Sequence, residues 1–140
     1  MSLAPFEEPS YGITVTLREI SVDEAVVRAT EALATEGFGV LSEIDVGSTL
    51  HSKLGASIGG YRILGACSPT LAHQALQAEP GIGLIMPCNV VIAEQADGSL
   101  AVSVVDPVAL FRTLDRDDLT PFAQDVRAQL ARVMERLADG

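Results

Sequence analysis

The chain has no tryptophan, only 4% aromatic residues and two cysteines among 140 residues. With so few rings, the core must be built from Val, Leu, Ile and Ala. Two cysteines make no disulfide framework. Basic residues are also scarce, nine against nineteen acidic ones, for a formal charge of −10. Nucleic-acid binding needs Lys and Arg to displace phosphate counterions, so it is excluded as an expectation. An anionic membrane surface is disfavoured for the same reason. No hydrophobic run approaches the roughly 20 residues of a membrane span. The first twelve residues, MSLAPFEEPSYG, show neither a basic n-region nor an apolar h-region. These absences point to a cytoplasmic protein with reduced thiols.

What is present suits one globular domain, because 140 residues with 48% hydrophobic content bury about two-thirds of the unfolded surface. Residues 1–10 read as a flexible N-terminal tail and 11–140 as a single domain. GITVTLRE alternates Ile13, Val15 and Leu17 against Thr14, Thr16 and Arg18, a half-buried strand. Ser21 and Glu24 fit a capping box, and Val22, Ala25, Val26, Ala29 and Leu33 follow at helical spacing. Gly37 fits the left-handed stop. FGVLSEIDV is a second strand. GSTLHSKLGASIGG is a Gly/Ser-rich connection with a short helix around Leu50 and Leu54, and GASIGGY suits a turn or lid. YRILGA is a third strand, and Ser68 and Pro69 open a helix. GIGLIMPCNVVIAEQ reads as a long strand interrupted by Pro87, since proline cannot donate to a ladder. Asp97-Gly98 marks a hairpin, LAVSVV is the last strand, and a final helix starts near Thr120 with Phe122, Val126, Leu130, Val133 and Leu137 as its stripe.

The predicted order is β-α-β-β-α-β-β-α. Strands in turn-joined pairs imply an α+β fold, with a largely antiparallel sheet carrying helices on one face. In IMPCNVVIAE, Ile85, Val91 and Ala93 oppose the apolar set of Met86, Cys88, Val90 and Ile92. A strand apolar on both faces needs a second cover, either the C-terminal helix or a second subunit, which makes a homodimer the expected partner state.

The candidate chemistry centres on the cysteines. Cys67 precedes a helix N-terminus, whose dipole and free N–H groups favour thiolate. Cys67 is also a small residue at a tight strand-to-helix junction beside Gly65 and Ala66, and packing explains it as readily. By strand parity Cys88 aligns with Leu84, Met86, Val90 and Ile92. If its strand pairs with the one ending at Cys67, both thiols face one side. The 21-residue gap is neither C-x-x-C nor a zinc-finger spacing, so a metal site must assemble through the fold. Cys67, Cys88 and His51 are the candidate ligands, and two sulfurs with an imidazole or the Met86 thioether suit Cu(I) or Zn(II). His51 is also an ordinary solvated loop residue, and His73 is expected to be exposed. Asp106-Pro107 is explained by capping. No G-x-S-x-G, P-loop or G-x-G-x-x-G occurs.

The motifs GFGVLSEIDV, YRILGACSP, LIMPCNVVIAEQADGS and VVDP, in that order, resemble the bacterial and archaeal family called domain of unknown function 302, over about residues 11–107. The resemblance implies a TATA-binding-protein-like fold with a curved antiparallel sheet packed on helices, a homodimer, and no established activity. The family's motif positions here are Gly65, Ala66, Cys67, Pro69, Pro87, Cys88, Asp106 and Pro107. Together, residues and resemblance give a candidate ligand pocket of Tyr61, Gly65, Ala66, Cys67, Pro69, Met86, Pro87, Cys88 and Asp106. Three functional readings stay open: a homodimeric small-ligand or soft-metal binding module, a thiol redox enzyme or sensor using Cys67 and Cys88, and a purely structural or interaction domain.

Overall fold

The computed structural model describes residues 3–140. Its frame is one five-stranded, wholly antiparallel sheet in the order β1-β5-β4-β3-β2. The strands are β1 (Gly12–Leu17), β2 (Gly39–Asp45), β3 (Tyr61–Cys67), β4 (Cys88–Glu94) and β5 (Leu100–Val105). The helices are α1 (Val22–Ala34), α2 (Val46–Leu54), α3 (Pro69–Ala78), α4 (Pro107–Phe111) and α5 (Thr120–Asp139). The α+β expectation holds.

Local chemistry sets most boundaries. The Glu24 N–H donates to Ser21 Oγ at the start of α1. Gly37 after it takes φ +83°, where a side chain would be strained. Pro69 occupies the first turn of α3, where its missing N–H breaks no helical bond. Gly98 turns the β4–β5 hairpin at φ +85°.

The strand register creates two unequal faces. On one, Leu64 lies level with Val90 and Val104, and Ile92 with Val102 and Val15. This face is sealed by α1 and α5, whose Ala25, Ala29, Leu33, Leu130 and Val133 are buried in the same core. Small alanines let α1 approach closely, so an aliphatic core closes without large rings. The other face carries Tyr61, Ile63, Val91, Ala93, Ala101 and Ser103, and no helix of the core packs there. The final helix therefore does not supply the second cover that the two-sided apolar pattern of β4 demands.

Two features depart from the sequence reading. Strands β2 and β3 are joined through the expected short helix, α2, so this pair has no tight turn. Residues Pro80–Ile85 form short 3-10 turns instead of strand, and the strand begins only at Cys88. Pro87, in a cis peptide with Met86, cannot join a ladder, so Leu84 and Met86 have no strand parity with Cys88. Leu84 is 93% exposed.

The described part of the expected tail, residues 3–10, is laid against the sheet. The Phe6 N–H donates to Gln95 Oε1 (2.9 Å), and the Thr14 N–H of edge strand β1 donates to the Glu8 carboxylate (2.7 Å). The Gly12 N–H donates to the Pro9 carbonyl. Met1 and Ser2 lie outside the described residues.

Candidate functional site

The two ends of β3 carry the expected site residues, and they differ. At the C-terminal end, β3 and β4 do pair, but the register sets Cys88 level with Ala66, not with Cys67. Cys88 thus shares the helix-covered face with Ala66, while strand parity turns Cys67 the other way. Parity thus offsets the two by one residue, yet at the strand end both thiols reach the same space. Both cysteines are free and half-buried. They border one cavity of about 50 Å³, walled otherwise by Phe38, Leu71, Ala75, Met86 and Val126. That volume holds little more than a water or a single ion. Burial, reinforced by the neighbouring Cys67, pushes the Cys88 thiol up to about 11, so it is protonated at neutral pH.

Two more of the expected residues at this end make packing and capping contacts. A Cβ on Gly65 would collide with Ser42 Oγ and lie 2.8 Å from Pro87 Cγ, so Gly65 is the seat of Pro87. Asp106 caps α4 by accepting from the Val108 N–H (2.9 Å), and its other oxygen accepts from Arg127 Nε (3.0 Å). Ser68, by contrast, makes no side-chain cap bond at α3.

His51 is exposed on α2. That helix follows Asp45 directly, and Asp45 pairs with Arg62 at the far end of β3. Six residues at about 3.3 Å each separate Tyr61 from Cys67, on the order of 20 Å. His51 and the cysteines therefore sit at opposite ends of β3. Among the described residues no three His, Cys, Asp or Glu side chains converge to hold a metal ion. Glu43, Asp45 and Asp23 all bind Arg62, at 2.9, 3.5 and 2.7 Å. The hydrogen bond to Asp23 contributes most to raising the Arg62 pKa. With its guanidinium so occupied, Arg62 is not free to bind an anion.

The Tyr61 end is roomier. Residues 3–10 cross the open face as a strap and leave a cavity on each side. One, of about 580 Å³, is bordered by Phe6, Thr16, Arg18, Ile58, Tyr61, Ala93 and Gln95 among others. The second, of about 320 Å³, is bordered by Phe6, Pro9, Tyr61, Val91, Ser103 and Val105 among others. Under the strap, Thr14 Oγ1 and Ser103 Oγ satisfy each other at 2.8 Å. Arg18 and Asp97 form an exposed pair at 3.5 Å on the rim. Of the expected pocket residues only Tyr61 borders these spaces. The strap was legible as Pro-rich sequence, but Phe6, the one ring in the first ten residues, was the available signal that it packs.

The model for "Domain of unknown function DUF302" matches residues 13–137. The chain belongs to the DUF302 family. The match runs through the final helix, beyond the span that the motifs alone suggested. A crystal structure described as an uncharacterized conserved protein DUF302 from Bacillus stearothermophilus is similar over 92% of this chain and 99% of that one, with 27% identity and a TM-score of 0.84. No curated protein matches. Among the described residues of this DUF302 chain, no helix is long and apolar enough to cross a membrane.

Proposed function

We propose that this DUF302 protein is a small-ligand binding module whose ligand lies on the open sheet face against Tyr61. Size carries this reading. Ligand pockets commonly enclose about 300–1,000 Å³, a range that includes the 580 Å³ cavity and excludes the 50 Å³ cavity at the cysteines. The lining mixes apolar side chains such as Leu3, Phe6 and Ile58 with polar ones such as Thr16, Arg18 and Gln95. A fragment screen read by backbone-amide NMR tests it. Hits should cluster on Tyr61, Val91 and Ala93; a screen whose hits all fall elsewhere overturns it.

A second reading keeps the cysteines. Cys67, Met86 and Cys88 border one cavity, and three soft sulfur donors suit Cu(I) better than any oxygen-loving ion. Binding there must displace the Cys88 proton, so affinity should rise with pH. Titration of the reduced protein with Cu(I) and Zn(II), followed by elemental analysis, decides it; no stoichiometric metal removes it. The redox version requires a Cys67–Cys88 disulfide after mild oxidation, visible as a loss of two mass units. Two free thiols fit a reducing, cytoplasmic setting.

A homodimer is supported by the uncovered strip of the open face, where Leu41 is 71% and Ile44 51% exposed beside the half-buried Ile63. Sedimentation equilibrium at micromolar concentration should give twice the chain mass; a monomer there contradicts the dimer.

A further inference from the structure

Resting on the open-face binding reading, we propose that Phe6 is a gate between two compartments of one trough, and that the full trough takes a linear amphiphile, an apolar chain with one polar end. Among the described residues the two cavities share Phe6 and Tyr61 in their walls. Tyr61 belongs to the floor, as part of β3. Phe6 belongs to the strap and divides the space from above. The floor beneath it is continuous, because the row Tyr61, Ala93, Ala101 and Thr16 is followed along the strands by the row Ile63, Val91, Ser103 and Thr14. From Ser99 beside the larger cavity to Val105 beside the smaller, the floor runs six residues, about 20 Å.

Polarity changes along that length. The larger compartment holds Arg18, Glu94, Gln95, Asp97 and Ser99, while the smaller one sets Pro9, Val91, Val104 and Val105 beside Glu7, Asn89 and Ser103. A polar head therefore suits the Arg18 end and a chain suits the Val91 end. Reaching both requires Phe6 to lift. Its restraint is slight: the ring is half-buried, and one hydrogen bond, from the Phe6 N–H to Gln95 Oε1, ties the backbone there. Gln95 is already oriented, since its Nε2 donates to the Ala93 carbonyl at 3.1 Å. The firmer attachments, Glu8 to Thr14 and Pro9 to Gly12, lie on the other side of Glu7, so the strap can pivot there without unpairing β1.

The test uses 1-hexanol, short enough for one compartment, and 1-decanol, which needs both. Amide-shift titrations are run on the wild type, Phe6→Ala and Gln95→Ala, the last keeping the ring but removing its latch. A closed gate lowers apparent affinity by the fraction of open protein, so Phe6→Ala should tighten 1-decanol by about fivefold or more while changing 1-hexanol less than about twofold. Gln95→Ala should move 1-decanol the same way by less. With 1-decanol, shifts should reach both Ala93 and Val105. If either variant changes the two alcohols by equal factors, or weakens 1-decanol, the gate is overturned while the site stands. If neither alcohol shifts any open-face amide in any of the three proteins, the binding reading itself falls.

Discussion

The two ends of β3 differ in what stands over them. At Cys67 the strand runs into α3, the Pro80–Ile85 turns press on it through Met86 and Pro87, and α5 contributes Val126, leaving about 50 Å³. At Tyr61 the strap crosses the sheet, leaving about 580 and 320 Å³. The residue types that suggest chemistry gather where packing is tightest. The room for a ligand lies where the sequence is bland. A thiol at a crowded junction is as much a packing choice as a reactive group, whereas volume arises from the absence of a covering element, which no single residue announces.

The sharpest way to break this comparison is to weigh neighbours on opposite faces of β3. Leu64 is fully buried beneath the helices, and Leu64→Ala should lower stability by about 3 kcal/mol. Ile63→Ala, one residue away on the open face, should lower it by about 1 kcal/mol or less. Chemical denaturation measures both, and equal losses would show that the open face is covered as well as the other. Gly65→Ala tests the crowding at the Cys67 end. The added methyl meets Ser42 and Pro87 and should destabilise by about 2 kcal/mol; a neutral outcome would mean that end is looser than described.

The thiol of Cys88 gives a test by pH. Burial, reinforced by Cys67, raises its pKa above the ordinary thiol range to about 11. The unfolded chain therefore loses this proton first, and the native state loses stability as pH climbs from about 9 to 11. The slope approaches at most about 1.4 kcal/mol per pH unit for one proton. The wild type should show a steeper alkaline loss than Cys88→Ala, with the difference absent below pH 8. Parallel curves would mean Cys88 is more exposed than its setting implies. A smaller effect is expected at Asp106, whose cap and ion pair make Asp106→Ala cost about 1 kcal/mol while leaving ligand binding at Tyr61 unchanged.

Much of the frame was legible in the chain. The alternation in Gly12–Leu17, the Ser21 cap and the stripe from Phe122 to Leu137 are local patterns, and local patterns follow from helix and strand periods. Register was not legible. One residue decides whether Cys67 and Cys88 share a face, and that residue is set by pairing between segments 21 apart. The Pro80–Ile85 turns were also hidden, because a short apolar run reads equally well as strand or turn. The strap was missed for a different reason. Its sequence carries two prolines and two glutamates, which resemble solvated linker, and one of its attachments is to Gln95, a partner 89 residues away. His51 shows the same limit, since α2 places it by topology at the end of β3 opposite the cysteines.

Ligand space at the Tyr61 end of β3 should make that end alone respond to a small apolar probe. A backbone-amide NMR titration with 1-hexanol tests it most directly, because assigned shifts report both ends at once. Saturable shifts are expected at Tyr61 together with the amides of the compartment that 1-hexanol fills, Ala93 for the larger or Val91 and Ser103 for the smaller, with Cys67, Ala75 and Cys88 unmoved. Saturable shifts confined to Cys67, Ala75 and Cys88 would contradict it.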